Sequence, residues 1–467
     1  MNGVKTDYLV IGAGASGLAF VDALIEEADV EVTVIDRRPA PGGHWVDAYP
    51  FIRLHSPSAY YGVNSMALGE DRIDECGENA GQYERATGEE VRAYFGAVAE
   101  RLEGTGKVRI LTGHEHIGRG RDGERVRDLR SGEDRDVAVR RKVVDARYLE
   151  ASVPATHTPS FEVASDARLV PVNDLPAAAG TTSSFTVLGS GKTAVDACVW
   201  LLDNGVEPDA IRWVRPRDAW FHDRGHFQPG EQVGATFTGI SLDAEAGAHG
   251  TDLDDLFGWL EASGRFLRVD PSAKTTMYRG TMLGAHELAA VRRIEDVVRL
   301  GRVRRIERDR IVLEAGEVET SADVLHVDCT ALGLRNPPPA PIFQPGRIVL
   351  QQVRHLSPSF NAALAGFVEA HREDDAEKNR LCPPNPHPIG MEDWPRMVSR
   401  TWRTERRWLS EPDVAAWVAS SRLNLLRALP EHVAEPEVRT ALERYLTHVG
   451  PAIERLEQLD SMRSSPS

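Results

Sequence analysis

The N-terminal part of the chain alternates between apolar runs and a glycine-rich turn in the order of a β-α-β unit. The apolar run over 7–11 is of the kind that forms a strand buried in a parallel sheet. The pattern then predicts a helix from Ala15 to about Ala28. A second strand is predicted over 30–35, and it ends at Asp36.

A second strand-turn-helix pattern begins at Ser184 and leads to a further strand over 211–214. Residues 222–275 carry many glycines and aspartates and are predicted to be irregular. Helices are predicted at 87–103 and 360–371, a mostly helical stretch at 394–460, and strands at 108–111, 142–146, 303–306, 311–313, 324–329 and 348–353. This order predicts an α/β fold with two Rossmann-like, doubly wound nucleotide-binding domains.

The first turn has the spacing G-x-G-x-x-G. Gly12 permits the tight bend out of the strand, Gly14 lets the backbone approach a pyrophosphate, and Gly17 lets the helix pack closely on the strand. The start of the helix, at Ala15 and Ser16, offers free N–H groups and the positive end of the helix dipole to the phosphates.

An acidic side chain stands at the end of the second strand. Asp36 can accept hydrogen bonds from the ribose hydroxyls of an adenosine, and Arg37 beside it is a further candidate for this site. Because turn, strand, helix and acid agree, the segment predicts a dinucleotide site rather than a glycine turn that binds nothing.

The second turn admits two interpretations. Its candidate binding residues are Gly189, Ser190, Gly191, Lys192 and Thr193. The phosphate loop of nucleoside triphosphatases needs a glycine where this chain has Thr186, so the dinucleotide spacing G-x-G-x-x-A fits better.

The strand after the second turn is not followed by an acid. Arg215 and Arg217 stand there instead, and a guanidinium attracts the 2′-phosphate of NADPH. We therefore expect NADPH to be preferred to NADH. The alternative is that both arginines face the solvent.

A third glycine-rich segment follows Asp36 closely. Gly42 and Gly43 permit another close approach of the backbone to a pyrophosphate, and His44 and Trp45 come next. Trp45 either covers a flavin or fills the core, and both interpretations stay open.

In this combination of motifs, the chain resembles the flavin-containing monooxygenases and their relatives, which include Baeyer–Villiger and amine N-hydroxylating enzymes. The resemblance covers residues 6–62 and 184–217, and extends weakly over 320–371. It implies FAD at the first turn and NADPH at the second, with the NADPH domain inserted in a split FAD domain. On this basis we expect the first part of the FAD domain at 1–180 and the NADPH domain at 184–319. The second part of the FAD domain, with a helical C-terminal extension, is expected at 320–467.

The chain departs from the family's pattern at three places. The F-x-G-x-x-x-H fingerprint before the second turn is absent, and the late A-T-G segment appears only as D-C-T-A-L-G over 328–333. Gln351 and Gln352 replace a G-D pair that touches the flavin ribityl chain, so Gln352 is expected near that chain.

The order of segments in the family implies that the loop after Trp45 runs past the isoalloxazine ring. Arg53, His55 and Ser56 are therefore candidates to contact flavin or substrate, and the alternative for His55 is a loop histidine bonded to backbone. His116 lies where related folds offer backbone atoms to the adenine.

His222 and His226 have the spacing of a metal-binding pair on a helix. Gly225 and Pro229 argue against the helix that would align them, so we expect a substrate-cleft loop or plain surface, and no metal.

The net charge and the cysteines limit the classes of binding partner and the cellular compartment that we expect. A formal charge of −16 argues against nucleic acid and anionic membranes. Four separated cysteines without a C-x-x-C pattern, and an N-terminus without signal-peptide features, predict a cytoplasmic protein. Lys192 and Asp196 interrupt the most apolar stretch, 185–202, so no membrane span is expected.

The resemblance implies an NADPH-dependent, FAD-containing monooxygenase. Such an enzyme inserts one oxygen atom of O2 into a small organic substrate through a C4a-(hydro)peroxide of the flavin. A flavoprotein reductase or dehydrogenase without oxygenation, and a nucleotide-binding protein that senses redox state without turnover, are the alternatives. The C-terminal helices and the loop 382–388 are expected to cap the substrate pocket or to form the face of a homo-oligomer.

Overall fold

The structure, a computed structural model, describes residues 4–120 and 123–464. Its strands, numbered along the chain, are β1 Val4–Ile11, β2 Val32–Asp36, β3 Val108–Thr112, β4 His114–Arg119, β5 Glu124–Asp128, β6 Asp134–Asp145, β7 Ala151–Ser152, β8 Glu162–Val163, β9 Arg168–Pro171, β10 Phe185–Leu188, β11 Ile211–Val214, β12 Asp218–Asp223, β13 Phe266–Arg268, β14 Thr275–Leu283, β15 Val297–Val298, β16 Val303–Ile306, β17 Arg310–Leu313, β18 Gly316–Glu319, β19 Leu325–Asp328, β20 Gly333–Leu334, β21 Phe343–Gln344 and β22 Arg347–Val349.

The helices are distributed among these strands as far as Val291, and in the described part of the chain helices alone follow β22. They are α1 Ala15–Glu27, α2 Gly88–Gly104, α3 Leu175–Ala178, α4 Lys192–Asp203, α5 Val233–His249, α6 Leu253–Ala262, α7 Ala285–Val291, α8 Pro358–His371, α9 Asp375–Leu381, α10 Trp394–Leu409, α11 Pro412–Ser420, α12 Leu429–His432 and α13 Pro436–Ser464. The predicted helices at 15–28, 87–103 and 360–371 correspond to α1, α2 and α8.

The larger sheet is built around β1. This strand pairs in parallel with β2 on one side and β6 on the other; β3 extends the sheet beyond β2, and β22 extends it beyond β6. Because β21 and β22 follow the second nucleotide-binding unit in sequence, this sheet is assembled from two separated parts of the chain.

The second sheet contains β15, β11, β10, β19 and β9 in that order, and all of its pairs are parallel. Its central strand β10 leads into α4, as β1 leads into α1. Strands β9 and β19 lie outside the range 184–319 that we predict for the NADPH domain. A boundary at 184 and 319 would therefore cut through this sheet.

Helix α8 returns to the first sheet and packs against α1. The contact is so close that a Cβ atom on Gly366 would lie 2.5 Å from the carbonyl oxygen of Phe20. Both helices share one apolar core with the buried faces of β1 and β2. This core holds the carboxyl end of β1, where the first glycine turn begins.

The prediction of irregular structure over 222–275 is wrong, because α5 and α6 lie in this range. Two of the glycines that suggested irregularity allow close packing of α5. A Cβ atom on Gly247 would lie 3.2 Å from side chains of α13, and one on Gly239 would lie 2.7 Å from the Arg265 guanidinium. Tertiary packing thus outweighs the low helix propensity of glycine.

The C-terminal part is mostly helical, as predicted. Helix α13 packs against α5 and α10, whereas α11 contributes Val414 and Trp417 to the core of the first sheet. Within 4–120 and 123–464, no helix combines the length and the apolar content that crossing a membrane requires.

Candidate active site

A cavity of about 900 Å³ is bordered by both glycine turns. Gly12 and Gly14 line it from the carboxyl end of β1, and Gly189 and Gly191 line it from the carboxyl end of β10. Ligands of parallel α/β sheets bind outside the carboxyl ends of the strands. One cavity therefore lies at the expected binding edge of two separate sheets.

The first turn is shaped by three glycines. Gly12 has φ +113°, which side-chain-bearing residues rarely adopt. A Cβ atom on Gly17 would lie 1.9 Å from the Gly12 carbonyl oxygen, so α1 approaches β1 at this point. Gly17 itself does not line the cavity, and its contribution is to bring the helix close to the strand.

Helices α1 and α4 begin with nearly identical backbone geometry. Their N-caps are Gly14, with φ −86° and ψ −174°, and Gly191, with φ −85° and ψ −177°. In the described part of the chain, neither N-terminus is capped by a side chain. The free first-turn N–H groups of both helices are suited to bind phosphate at this cavity.

Asp36 lines the cavity with a carboxylate that two backbone groups hold in place. Oδ2 accepts a hydrogen bond from the Ala13 N–H at 2.8 Å, and Oδ1 accepts one from the Arg38 N–H at 2.9 Å. Each carboxylate oxygen keeps a second lone pair, with which it can accept a ribose hydroxyl.

Most of the predicted site residues border this one cavity. They are Gly12, Gly14, Ala15, Ser16, Asp36, Gly43, His44, Trp45, Arg53, His55, Ser56, Gly189, Ser190, Gly191, Lys192, Thr193, Arg217 and Gln352. Four of the predicted residues do not border it, namely Gly17, Arg37, His116 and Arg215.

Arg215 is not placed to bind a 2′-phosphate. Its side chain is 4% exposed, forms an ion pair with Asp218, and lies 4.7 Å from the centre of the Trp213 ring. Burial lowers the pKa of Arg215, and Asp218 opposes this. Of the two arginines after β11, Arg217 borders the cavity and Arg215 does not.

Arg37 and His116 are also held away from the cavity. The half-exposed Arg37 forms an ion pair with Glu150 at 2.5 Å, whereas the next residue, Arg38, borders the cavity and pairs with Asp47. His116 Nε2 lies 2.7 Å from a Glu124 carboxylate oxygen in the β4–β5 hairpin. The side chain after Asp36 that faces the site is thus that of Arg38.

Trp45 lies at the border between the core and the cavity. It is 5% exposed and belongs to the core of the first sheet, yet one side of it borders the cavity. Its Nε1–H donates a hydrogen bond to the Tyr61 hydroxyl at 2.7 Å, which fixes the plane of the indole. Core packing and cavity lining are therefore combined in one residue.

The segment 53–56 forms part of the cavity wall. Arg53 lies exposed at its edge and donates a hydrogen bond to the Arg85 carbonyl at 3.2 Å. The carbonyl of His55 accepts a hydrogen bond from Arg224 Nε at 2.8 Å. Burial lowers the pKa of His55 to about 3, and the charges of Lys192 and Arg224 add to this. Its imidazole is therefore neutral near pH 7.

His44 is a second neutral imidazole in the wall. Burial lowers the pKa of His44 to about 4, and the positive charge of Arg38 acts in the same direction. Both imidazoles can exchange hydrogen bonds with a ligand without adding charge to the site.

Lys192 does not resemble the lysine of a phosphate loop. Its ammonium group donates to Glu287 Oε1 at 2.8 Å and also pairs with Asp196, and its side chain is only 5% exposed. Two carboxylates thus neutralise it inside the protein, although it borders the cavity.

Sequence reasoning missed several cationic residues of the cavity wall. They are Arg38, Arg147, Arg279 and Arg302. Arg279 lies on β14, and Arg302 directly precedes β16. Neither residue is part of a local sequence motif that would predict a position at the cavity. The Nε atom of Arg147 lies 3.5 Å from Asp145 Oδ1, and the Arg147 side chain lies next to Gly12.

His222 lies in a buried aromatic cluster rather than on the surface. His222 Nε2 lies 2.7 Å from the Tyr278 hydroxyl, and the ring is buried against Phe227 and Phe266. Over 4–120 and 123–464, the side chains whose ligand atoms lie close enough for one ion are Glu78, Asp203 and His286, and the group includes neither histidine.

The residues at the first turn fit the pyrophosphate of a dinucleotide. The Arg147 side chain, the free amides of α1 and the backbone contact between Gly14 and Gly43 meet on one side of the cavity. The second turn repeats the uncapped helix start, and Arg217 and Arg302 supply cations near it.

Comparison with known proteins identifies relatives of this chain. Residues 10–64 match the family of NAD(P)-binding Rossmann-like domains. The chain is 44% identical to the uncharacterized protein Rv2000 of Mycobacterium tuberculosis, over 98% of this chain and 84% of that protein. The uncharacterized protein Mb2023 of Mycobacterium bovis matches with the same values.

Among solved structures, the cyclohexanone-bound crystal structure of cyclohexanone monooxygenase in its rotated conformation matches with a TM-score of 0.50 at 13% identity. The match covers 93% of this chain and 99% of that chain. At this identity the likeness establishes the fold. The chain therefore belongs to one family with the mycobacterial proteins, and it has the flavin monooxygenase-like fold with two dinucleotide-binding units.

Proposed function

We propose that the protein is an FAD- and NADPH-dependent monooxygenase that inserts one oxygen atom of O2 into a small organic substrate. The observation that carries this proposal is the opening of two dinucleotide turns, from two sheets, onto one cavity. Two dinucleotides bound in this way bring a nicotinamide close to a flavin, which hydride transfer requires.

The first turn and the G-G-x-W segment hold FAD in this proposal. The amides of Ala15 and Ser16 bind the pyrophosphate, and Asp36 accepts the ribose hydroxyls. When bound, the flavin supplies the hydride acceptor and the reaction with O2. Trp45 and Leu54 supply apolar wall that keeps water from the reacting centre.

The second turn holds NADPH. The amides of Gly191 and Thr193 bind the pyrophosphate, and Arg217 binds the 2′-phosphate, with Arg302 as a second cation at the cavity wall. The neutral imidazole of His55 offers a hydrogen bond to flavin or substrate. Ser56 offers a hydroxyl beside it, and Gln352 offers an amide from the segment after β22.

The test separates oxygenation from simple reduction. The purified protein is loaded with FAD, reduced with NADPH without oxygen, and then mixed with O2 while its absorbance is followed. We expect an absorbing species, distinct from both reduced and oxidised flavin, that persists before oxidised flavin returns. An immediate return to oxidised flavin with one hydrogen peroxide per NADPH would contradict oxygenation and favour a reductase. A protein that binds no FAD would contradict the whole proposal.

A further inference from the structure

A buried carboxylate, that of Glu287, joins three cations beneath the cavity. Oε1 accepts a hydrogen bond from Lys192 Nζ at 2.8 Å, Oε2 forms an ion pair with Arg224, and Arg85 Nη1 lies 4.0 Å from Oε1. The side chain of Glu287 is 5% exposed, and that of Arg224 is 1% exposed. Burial acts to raise the pKa of Glu287, but Lys192, Arg224 and Arg85 outweigh it and hold the pKa well below its usual range.

Two of these cations hold the segment 53–56 by its backbone. Arg224 Nε donates to the His55 carbonyl at 2.8 Å, and Arg85 Nη1 donates to the Leu54 carbonyl at 3.3 Å. Arg85 also pairs with Glu78 at 2.8 Å. The position of this part of the cavity wall therefore depends on Arg224, which pairs with Glu287, and on Arg85, which pairs with Glu78 and lies farther from Glu287.

The third cation belongs to the second glycine turn. Lys192 is the first residue of α4 and follows Gly191 directly, so its backbone lies where the pyrophosphate of a nicotinamide nucleotide is expected. Its side chain turns inward to Glu287 and Asp196, and Asp196 also accepts a hydrogen bond from the Tyr49 hydroxyl at 2.6 Å. One carboxylate thus connects the second turn with the wall formed by His55.

Beneath the cavity, three cations face three carboxylates, and the exposed Arg53 lies 3.7 Å from one of these, Glu78. Lys192, Arg224 and Arg85 face Glu287, Asp196 and Glu78. Removing one charged group from such a set leaves a charge without its ion-pair partner, and an unpaired charge away from water strongly destabilises the fold. A shift at Lys192 therefore changes the forces on Arg224, and through it on the His55 carbonyl.

We propose that Glu287 is a positioning residue that couples occupancy of the second nucleotide turn to the segment 53–56 and its continuation to Ser58. Binding of NADP⁺ fixes the start of α4, which fixes Lys192 against Glu287 and so stabilises the hold of Arg224 and Arg85 on the cavity wall. The inference rests on the proposed nicotinamide site. It adds that nucleotide binding there stabilises a segment of the cavity wall through side chains that lie beneath the cavity.

The test is hydrogen–deuterium exchange of the FAD-saturated protein with and without NADP⁺, with NADP⁺ affinity measured separately by calorimetry. The probes are the Leu54 and Ser58 amides, which donate to the Ala86 and Glu84 carbonyls at 3.0 Å each. In the wild-type protein we expect NADP⁺ to slow their exchange about fivefold or more. In Glu287→Gln we expect NADP⁺ to bind but the slowing to be lost.

The matched control is Glu369→Gln. Glu369 is an equally buried carboxylate, which accepts from Lys378 at 2.6 Å and Lys142 at 3.3 Å, and it does not border the cavity. This variant should keep the response to NADP⁺. Equal loss in both variants, or a wild-type response in Glu287→Gln, would overturn the coupling.

If Glu287→Gln does not fold, Arg224→Lys decides in the same measurement. A lysine keeps the charge beside Glu287 but cannot also hold the His55 carbonyl through a guanidinium fork, so the response should be lost. A retained response would overturn the coupling. A wild-type protein that binds NADP⁺ without slower exchange would overturn the coupling alone, whereas one that does not bind NADP⁺ would overturn the proposed nicotinamide site as well.

Discussion

Gly14 and Gly43 contact each other through their backbones alone. A Cβ atom on Gly43 would lie 2.9 Å from the Gly14 Cα atom, and one on Gly14 would lie 3.3 Å from the Gly43 Cα atom. Two motifs that are separate in the sequence thus meet at one point of the cavity. The contact leaves the free amides of α1 accessible to a pyrophosphate, because no side chain stands between the two segments.

We expect Gly43→Ala to weaken FAD binding about tenfold or more. The new methyl group would overlap the backbone of Gly14, and relieving such an overlap costs about 1–3 kcal/mol. The measurement is FAD release during ultrafiltration at graded concentrations. Gly113→Ala is the control, since Gly113 has a similar φ of +67° against +60° for Gly43, and no atom lies within 4 Å of its Cβ position. Equal FAD loss in both variants would assign the effect to backbone strain instead.

Arg217→Ala should raise the KM for NADPH about tenfold and leave the KM for NADH unchanged, because a charge-assisted hydrogen bond contributes about 1.5–3 kcal/mol. The measurement is steady-state oxidation of each nucleotide. Arg217 borders the cavity, whereas Arg215 is buried with Asp218. An equal rise for both nucleotides would contradict a 2′-phosphate contact.

Arg215→Ala should instead lower the free energy of unfolding by about 3 kcal/mol, because it removes one partner of a buried ion pair. Arg299 keeps Asp218 partly paired through a hydrogen bond of 2.9 Å. The measurement is urea unfolding monitored by circular dichroism. A selective rise in the KM for NADPH without loss of stability would restore Arg215 as the nucleotide ligand.

Stability should fall in acid partly through His55. Its pKa is about 3 in the folded protein and about 6.5 in the unfolded chain, so the unfolded state binds the extra proton between these values. The contribution of neutral His55 to the free energy of unfolding is fully present above pH 6.5. It is lost as the pH falls towards 3, by up to about 1.4 kcal/mol per pH unit. Urea unfolding at pH 6.5, 5.5 and 4.5 should show a smaller fall for His55→Gln. The exposed His286→Gln is the control for removing an imidazole, and an unchanged slope in His55→Gln would contradict the prediction.

The parts of the site that could be predicted from sequence are those whose chemistry is local. The turn at Gly12, the helix that follows and the acid at Asp36 are adjacent along the chain, and their backbone requirements appear directly as residue types. The same holds for the second turn. Arg279 and Arg302 could not be found in this way, because only the tertiary fold brings β14 and the start of β16 to the cavity.

The wrong or incomplete predictions have a common physical cause, which is tertiary packing. Gly239 and Gly247 suggested a loop, but they allow α5 to approach Arg265 and α13. Arg215 suggested a phosphate ligand, but Asp218 lies three residues further on and takes up its charge. Lys192 is predicted as a cofactor-binding residue of the second turn, and its ammonium group pairs with Glu287 on α7, far away in sequence.

Gly280 and Leu356 set the width of the cavity at one place. Both residues border it and both have positive φ, +65° for Gly280 and +57° for Leu356. A Cβ atom on Gly280 would overlap a Leu356 methyl carbon, so Gly280→Ala must displace that side chain. In the Leu356→Ala background the methyl carbon is absent, and only the backbone strain at position 280 remains.

We therefore expect the double variant to lose about 1 kcal/mol less unfolding free energy than the sum of the losses in the two single variants, because the effects of substitutions at residues in contact are commonly not additive. Urea unfolding of the wild-type protein and the three variants measures this difference. Additive losses would mean that Leu356 moves aside without cost, and that the pair does not define the cavity wall.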